Sequence, residues 1–547
     1  MFSKRPCKEA GMKSSIQMFY AMLLLAGFAC KDNPPEVIVH RLRLRLTKVG
    51  IVDASLKIDI TDPNAPRTIV LKKDHRTILE TILAHQDTTV TDSTLLRARR
   101  YSYKSYLLQF DTAIDSSENV IVSTLDSSGI NISTVDVQVK EATVKVTMDD
   151  HNTNRTFLVQ RDGQSISSGY LTGPDTVIDD RGLLPASTHQ YKVFRLADSS
   201  IVDSSTAVVL TTLDTTSHAF IWQVDTLGLA FSHARDVAII SQSETWVVGE
   251  FCLNDSSRRI DNLARWDGST WTYDRVYFSV CDSTVIGVGS TVNPCTAIFA
   301  LSRDNVWITD GAVFVNWDGF KFRQVCRYGN IIDGELLKLW GTSNTNMFAV
   351  GQKGKISHYD GASWQKMESG TDIDLLDVWG SPDGSVVWAC GWTDFKPTIL
   401  LRYQNGVWNK AYQDEANLYS YSQDSLSGPV KSVWTNSSNR LFALTWFDLY
   451  QLPTNTRGEG QVLWGMENPN IWASEKIRGT AINNLAAVSY PGLIWHYNGL
   501  SWESFDYLKN SHDYLRNVDV TGDQIVAVGD RNYDGIHYYG VVYRGRR

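Results

Sequence analysis

LLKLWGTSNTNMFAVGQKGKISHYDGASWQ, Leu336 to Gln365, holds four short strand-like runs. Leu337 to Trp340 is apolar, and Met347 to Val350 is apolar again after a polar turn. Ile356 to Tyr359 follows Gly354, and Trp364 follows Asp360-Gly361. An Asp-Gly between two such runs predicts a tight hairpin, because the turn needs positive φ at its centre.

The same pattern recurs along the chain. Leu375 onward reads LLDVWGSPDGSVVWACGW, and Val430 onward reads VKSVWTNSSNRLFALTW. The later strand and turn recur as ARWDGSTW, VNWDGFKF, SHYDGASW, LRYQNGVW and WHYNGLSW. Trp340 and Trp379 are 39 residues apart. A period of about 40 with four strands per unit is the signature of a β-propeller. Seven inner strands are expected, near Val237, Ile298, Leu339, Val378, Val433, Thr480 and Val518. Blade 5, Val430 to Met466, fits worst, which leaves six or eight blades open. The last unit, ending GVVYRGRR, has three strands. Ala219 to Val224, with Trp222, is the expected fourth, closing the ring and removing its exposed edges. All 18 Trp lie between Trp222 and Trp502, which marks a domain boundary near residue 215.

Composition bounds the rest. The 547 residues are 43% apolar and 20% charged, as in ordinary folded chains. A net charge of −8 disfavours nucleic acid as a partner. Residues 1–29 read as a signal peptide, with Met12 the better start: a short basic head precedes the apolar run Met18 to Ala29, too short to span a bilayer. Gly27-Phe28-Ala29-Cys30 resembles the lipobox of bacterial lipoproteins, in which the cysteine becomes the lipidated N-terminus, although Phe28 stands where a small residue is commoner. That resemblance implies an envelope lipoprotein held in the membrane through Cys30. Lys31-Asp32 resembles a tag for the outer face of the outer membrane. Residues 30–36 would be the tether.

From Val37 the chain alternates like strands and repeats at an offset of 88. Asp53-Ala54-Ser55-Leu56-Lys57-Ile58 matches Glu141-Ala142-Thr143-Val144-Lys145-Val146. Asp92, Tyr103 and Thr124 match Asp180, Tyr191 and Thr212. Two all-β sandwiches are expected, 37–126 and 127–214, before a propeller at 215–547. DDRGLLPASTHQYKVFRLADSSIVDSSTAVVLTTLD resembles the latter half of a fibronectin type III domain. Tyr101 falls at that family's corner tyrosine, where the second copy has His189. The resemblance implies spacer or adhesive modules without catalysis.

In such a meander the 1–2 and 3–4 turns share one face and the 2–3 and 4–1 connections the other. Every long connection falls on the second: Cys252 to Asp261, Val276 to Thr296, Cys326 to Glu335, Trp392 to Pro397, Tyr412 to Gly428 and Asp530 to Gly535. Loops on a rigid scaffold carry function, so this face is the expected binding face. Its aromatic candidates are Trp392, Phe395, Tyr412, Tyr419, Tyr421 and Tyr533. The Trp340, Trp379 and Trp434 series invites a sugar-stacking reading, but its constant blade position argues for core packing. Cys281 with Cys295, and Cys252 with Cys326, are the first pairing to consider among the three that four cysteines allow. Asp530, Asn532 and Asp534 match the start of a calcium loop, D-x-N-x-D-G, but Val541 stands where its closing Glu belongs. No nucleophile elbow, zinc helix or phosphate loop is present. The leading reading is a non-enzymatic head that binds a glycan or protein. The alternatives are a glycosidase or lyase using Asp310, Asp394, Asp448 or Asp530 in a central funnel, and a structural subunit of an envelope complex.

Overall fold

The structure, a computed structural model, describes residues 42–61, 67–83, 87–149, 155–197, 199–254, 260–279, 290–325, 335–393, 397–414, 426, 428–437, 439–453, 460–464 and 472–547. The chain forms two compact units divided after Leu125. Among the described residues, no helix is long and apolar enough to cross a membrane.

The first unit is a β-sandwich. One sheet joins Leu42–Val49, Ala54–Ile60 and Asp87–Asp92; the other is built on Arg76–Leu83, Arg67–Lys73, Arg100–Gln109 and Thr112–Ser116, with Val120–Ser123 also on Arg100–Gln109. Alternating side chains meet between the sheets, among them Leu56, Ile58, Leu71 and Leu107. Tyr103 enters this core with its hydroxyl donating to Asp92 at 2.8 Å, and Lys73 pairs with the same carboxylate at 2.8 Å.

The second unit opens with a sandwich of the same design. Asp175–Arg181, Glu141–Thr147 and Asn131–Val137 form its smaller sheet. The 88-residue offset holds down to hydrogen bonds. Tyr191 donates to Asp180 at 2.6 Å and Arg161 pairs with it at 2.7 Å. Thr124 Oγ1 donates to the Leu96 carbonyl, and Thr212 Oγ1 to that of Leu184, each at 2.6 Å. The Tyr101 hydroxyl accepts the Leu96 N–H at 2.7 Å. His189 holds the equivalent place through Ser187 at 2.8 Å and Asp162 at 2.7 Å.

Among the described residues, seven four-stranded antiparallel sheets follow. Their first strands are His233–Ser241, Ala297–Ser302, Leu336–Ser343, Leu375–Gly380, Val430–Trp434, Trp472–Ala481 and Asp513–Thr521, in blades 1 to 7. Each first strand packs on the next, and the seventh packs on the first, so the ring is closed. The fold is therefore all-β, two sandwiches followed by a seven-bladed β-propeller. Ile221–Leu227 supplies the outer strand of blade 7 by pairing with Tyr538–Arg546. Trp222 lies there opposite Gly545, where a Cβ would come within 2.8 Å of the indole. Blade 5, the weakest repeat, forms four strands like the others.

Side chains staple neighbouring inner strands. Asp236 accepts the Ile298 N–H at 3.0 Å, Asp377 that of Val433 at 3.0 Å, and Asp519 that of Ile239 at 2.7 Å. The Asp-Gly hairpins differ from the two-residue turn expected. Trp266 pairs with Trp271, Trp317 with Phe322 and Tyr359 with Trp364, so each loop has four residues. The aspartate closes the loop by accepting the next two free N–H groups, as Asp360 does from Ala362 and Ser363, both at 2.9 Å. The glycine keeps its expected positive φ, 97° at Gly361. A true two-residue turn occurs at Asn405-Gly406, between the paired Gln404 and Val407.

The second sandwich is fixed to the short-turn side of blades 5 and 6. Arg440, opening the second strand of blade 5, pairs with Asp136 at 2.7 Å and Glu141 at 2.5 Å. Asn483, in the 1–2 turn of blade 6, donates to the Asp214 carbonyl at 2.8 Å. Val139 presses on Gly499 of that blade's 3–4 turn, where a Cβ would come within 2.3 Å of it.

Candidate functional site at the long-loop face

The inner strands of six blades carry a bulge at the same point, where they enter the ring from the long-loop face. The residues skipped in register are Arg235, Leu337, Leu376, Lys431, Glu475 and Arg516. A bulge re-aims one side chain and is common beside functional sites. Arg235, Leu337 and Arg516 line a cavity of about 330 Å³ at the channel mouth, together with His233, Thr296 and Glu335.

From this mouth a line of contacts runs back over blades 7 to 4. Arg516 donates to Asp530 at 2.8 Å, and His233 Nδ1 approaches the same carboxylate at 3.2 Å. The Arg516 guanidinium stands 5.0 Å from the Tyr514 ring centroid. The Tyr514 hydroxyl donates to Glu475, which pairs with Lys431 at 3.0 Å. Burial and Glu475 push the Tyr514 phenol up, so it stays a donor at neutral pH. Lys431 stands 6.0 Å from Trp392 and 5.8 Å from Trp446, rings that meet edge to face at 5.1 Å. Nε1 of both indoles is buried without a partner among the described residues. Tyr490 and Tyr533 are exposed on the same side.

Of the residues expected from sequence, the structure brings Trp392 and Tyr533 to this face. Tyr412 is a correction: it is buried against Trp388, Leu400 and Val430 and belongs to the blade core. Phe395, Tyr419 and Tyr421 lie outside the described residues, as does Cys30. Two of the four disulfide candidates fall within the described residues. Cys252 and Cys295 are free thiols, and Cys281 and Cys326 lie outside the described residues. Cys295 is sunk among Trp246, Val276, Phe278 and Ile308, and that burial pushes its thiol well up. Cys252 donates to the Phe231 carbonyl at 3.6 Å.

The calcium-like loop has most of its oxygens engaged within the protein, although Asp530 Oδ1 is buried without a hydrogen-bond partner among the described residues. Asp530 is held by Arg516 and His233. Asn532 Oδ1 accepts the N–H groups of Asp534 and Gly535, and Asp534 accepts those of Ile536 and His537. Among the described residues no group of three His, Cys, Asp or Glu is placed to hold a metal. The other funnel carboxylates do not converge with it: Asp310 caps Ala312 and Val313 and takes an amide from Asn293, and Asp448 accepts from Tyr450 at 3.1 Å. Asp394 lies outside the described residues.

Deeper in the channel, charges pair across the ring. Lys338 donates to both oxygens of Asp236, at 2.7 and 2.8 Å. Arg478 grips Asp377 at 2.9 and 2.6 Å, with Lys476 at 3.3 Å. Sequence reading missed both this floor and the bulge ring. The available signal was a charge interrupting the apolar inner strands, as in PVKSVW, ASEKIRG and YLRNVDV.

No family model matches the chain. The chain is similar to the curated Immune protein Tsi7 of Pseudomonas aeruginosa, 38% identical over 77 residues, 14% of this chain. The chain spans 24% of that relative's length. Among solved structures it is similar to YCF48 bound to D1 peptide, at 12% identity and TM-score 0.44, covering 61% of this chain and 98% of that one. A putative gluconolactonase gives 12% identity and TM-score 0.31, covering 46% and 89%. A Bacteroides thetaiotaomicron protein of unknown function gives 10% and 0.33, covering 76% and 98%.

Proposed function

We propose that the protein is a cell-envelope protein, lipid-anchored at Cys30 and facing outward from the outer membrane, whose propeller binds a glycan or protein ligand without turning it over. The sandwiches serve as fibronectin-like modules carrying that head. One observation carries the reading. The second sandwich is fixed to the short-turn side of blades 5 and 6, while the bulge ring lies at the opposite face. A face of mixed charge with half-buried aromatic rings suits recognition, since aromatic and arginine anchors dominate binding energetics. The paired channel carboxylates point away from turnover, because a general acid or base must reach a substrate proton.

The test uses the full chain on a glycan array and in crosslinking on intact cells, with product analysis for every glycan bound. The expected result is capture of one ligand class without product, weakened at least ~10-fold in an Arg235→Glu/Arg516→Glu variant. Turnover of a defined glycan, or binding indifferent to that variant, overturns the proposal.

A further inference from the structure

The opposite mouth of the channel has its own chemistry. Trp340, Trp379 and Trp434 occupy the same place in blades 3, 4 and 5, near the end of each inner strand. Trp340 lies against Gly380 of the next blade, where a Cβ would come within 2.4 Å of the ring. Trp434 donates from Nε1 to the carbonyl of Gly479, again one blade on, at 3.0 Å. Both indoles are buried. The blade after Trp379 has Thr435 in the glycine's place. A threonine thus stands for Trp379 where Trp340 has the bare backbone of Gly380. The Trp379 indole is half-buried and borders two channel cavities, of about 290 and 210 Å³. The guanidinium of Arg478 sits 4.5 Å from the ring centroid and holds it in place.

The 290 Å³ cavity is also lined by Thr342 and Thr480. Each hydroxyl ends the same three-residue relay. Asn346 Nδ2 donates to Thr342 Oγ1 at 2.9 Å, and His358 Nε2 meets Asn346 Oδ1 at 2.9 Å. Asn484 Nδ2 donates to Thr480 Oγ1 at 2.9 Å, and His496 Nε2 meets Asn484 Oδ1 at 3.0 Å. Burial pushes both imidazoles down, His496 to about 3, so each is neutral and donates from Nε2. That donation turns the amide so that its N–H₂ faces the threonine. With the oxygen already accepting, each threonine is left with its own O–H to give. Asn436 and Pro382 complete the lining, and none of its residues is charged.

We propose that this mouth is a second ligand site, taking one neutral sugar ring against Trp379 with its oxygens accepting from Thr342 and Thr480. The C–H face of a pyranose carries slight positive charge and suits the negative face of an indole. A cavity near the lower size limit of ligand pockets holds a single ring rather than a chain. The site is separate from the long-loop face and does not depend on the function proposed for it.

The experiment titrates the full chain with methyl glycosides of common hexoses and N-acetylhexosamines. Tryptophan fluorescence and saturation-transfer NMR are the readouts. One glycoside is expected to bind, with saturation transferred to its ring protons. A Thr342→Val/Thr480→Val variant, with unchanged Tm, should weaken binding by ~10-fold or more, because a site built to donate to an oxygen loses that donor. Trp379→Phe should remove the fluorescence change. Absence of transfer from every glycoside at tens of millimolar overturns the proposal. So does binding that survives the threonine variant, or that is lost instead with Arg235→Glu/Arg516→Glu, which would assign the sugar to the other mouth.

Discussion

The two mouths of the propeller channel are built from opposite ends of the same seven inner strands, yet they present different surfaces. At the long-loop end a repeated bulge displaces one residue in each of six blades, and these vary in character: Arg235, Leu337, Leu376, Lys431, Glu475 and Arg516. At the short-turn end the repeated Trp and Gly pack blade against blade, and the second sandwich sits over blades 5 and 6. One end is varied on a constant backbone device. The other repeats a Trp in blades 3 to 5 alone, followed by Gly in blades 3 and 4 and by Thr435 in blade 5. A repeat fold thus separates what holds the ring together from what makes one blade unlike the next.

The floor between the mouths gives the largest expected effect. Asp377 is fully buried and faces Arg478 and Lys476. Burial alone would raise its pKa, but the two cations hold the carboxyl well below the usual range. Asp377→Asn leaves both cations without a countercharge and should cost about 3–5 kcal/mol of unfolding free energy. Chemical denaturation of the full chain measures it. The pH sign follows from a depressed folded pKa. The contribution is complete above the ordinary carboxylate range and lost as pH falls below it. A cost of less than ~1 kcal/mol would mean that the floor is not what joins the two ends.

How much of this was legible depends on which end is considered. The seven blades and the closing strand at Trp222 follow from spacing and turn chemistry, which are local properties of the chain. The 88-residue sandwich repeat was legible for the same reason, down to the paired Tyr103–Asp92 and Tyr191–Asp180 bonds. The bulge ring was not, because a one-residue shift in pairing does not change the blade period, and only the charges that interrupt some inner strands hint at it. Tyr412 misled for a related reason. A strand running three residues further than expected carried it into the core of blade 4. The His–Asn–Thr relays were hidden as well, since their members come from three different strands.

The sandwich contact is the next effect in size. Arg440 joins blade 5 to Asp136 and Glu141, and all three side chains are largely shielded from water. Arg440→Ala should lower stability by about 2 kcal/mol, the scale of a charge-assisted hydrogen bond lost from a shielded place. Hydrogen exchange locates the loss. Amides of Asn131–Val137 and Glu141–Thr147 should speed up, while those of blade 1 remain as they were. Equal acceleration around the ring would show that the sandwich is part of the propeller's cooperative unit rather than a module docked on its short-turn side.

The smallest effect sharpens the description of the short-turn face itself. Its 3–4 hairpins come in two chemical versions. Asp267 and Asp318 cap their turns with carboxylates held at about 2, Asp267 chiefly by the backbone N–H of Thr270 and Asp318 chiefly by Arg323. Asn498 caps the equivalent turn of blade 6 with a neutral amide, accepting from Leu500 and Ser501 at 2.9 Å each. A carboxylate cap weakens when protonated, and an amide cap cannot be protonated in this range. In NMR spectra recorded as pH falls from 5, the Thr270 and Lys321 amides should titrate with midpoints near 2, while the Ser501 amide stays still. Asp318→Asn should silence Lys321 alone. Midpoints at the ordinary aspartate value would mean that these turns are closed by backbone geometry, with the side chain a bystander, and the difference between the two hairpin types would then carry no energy.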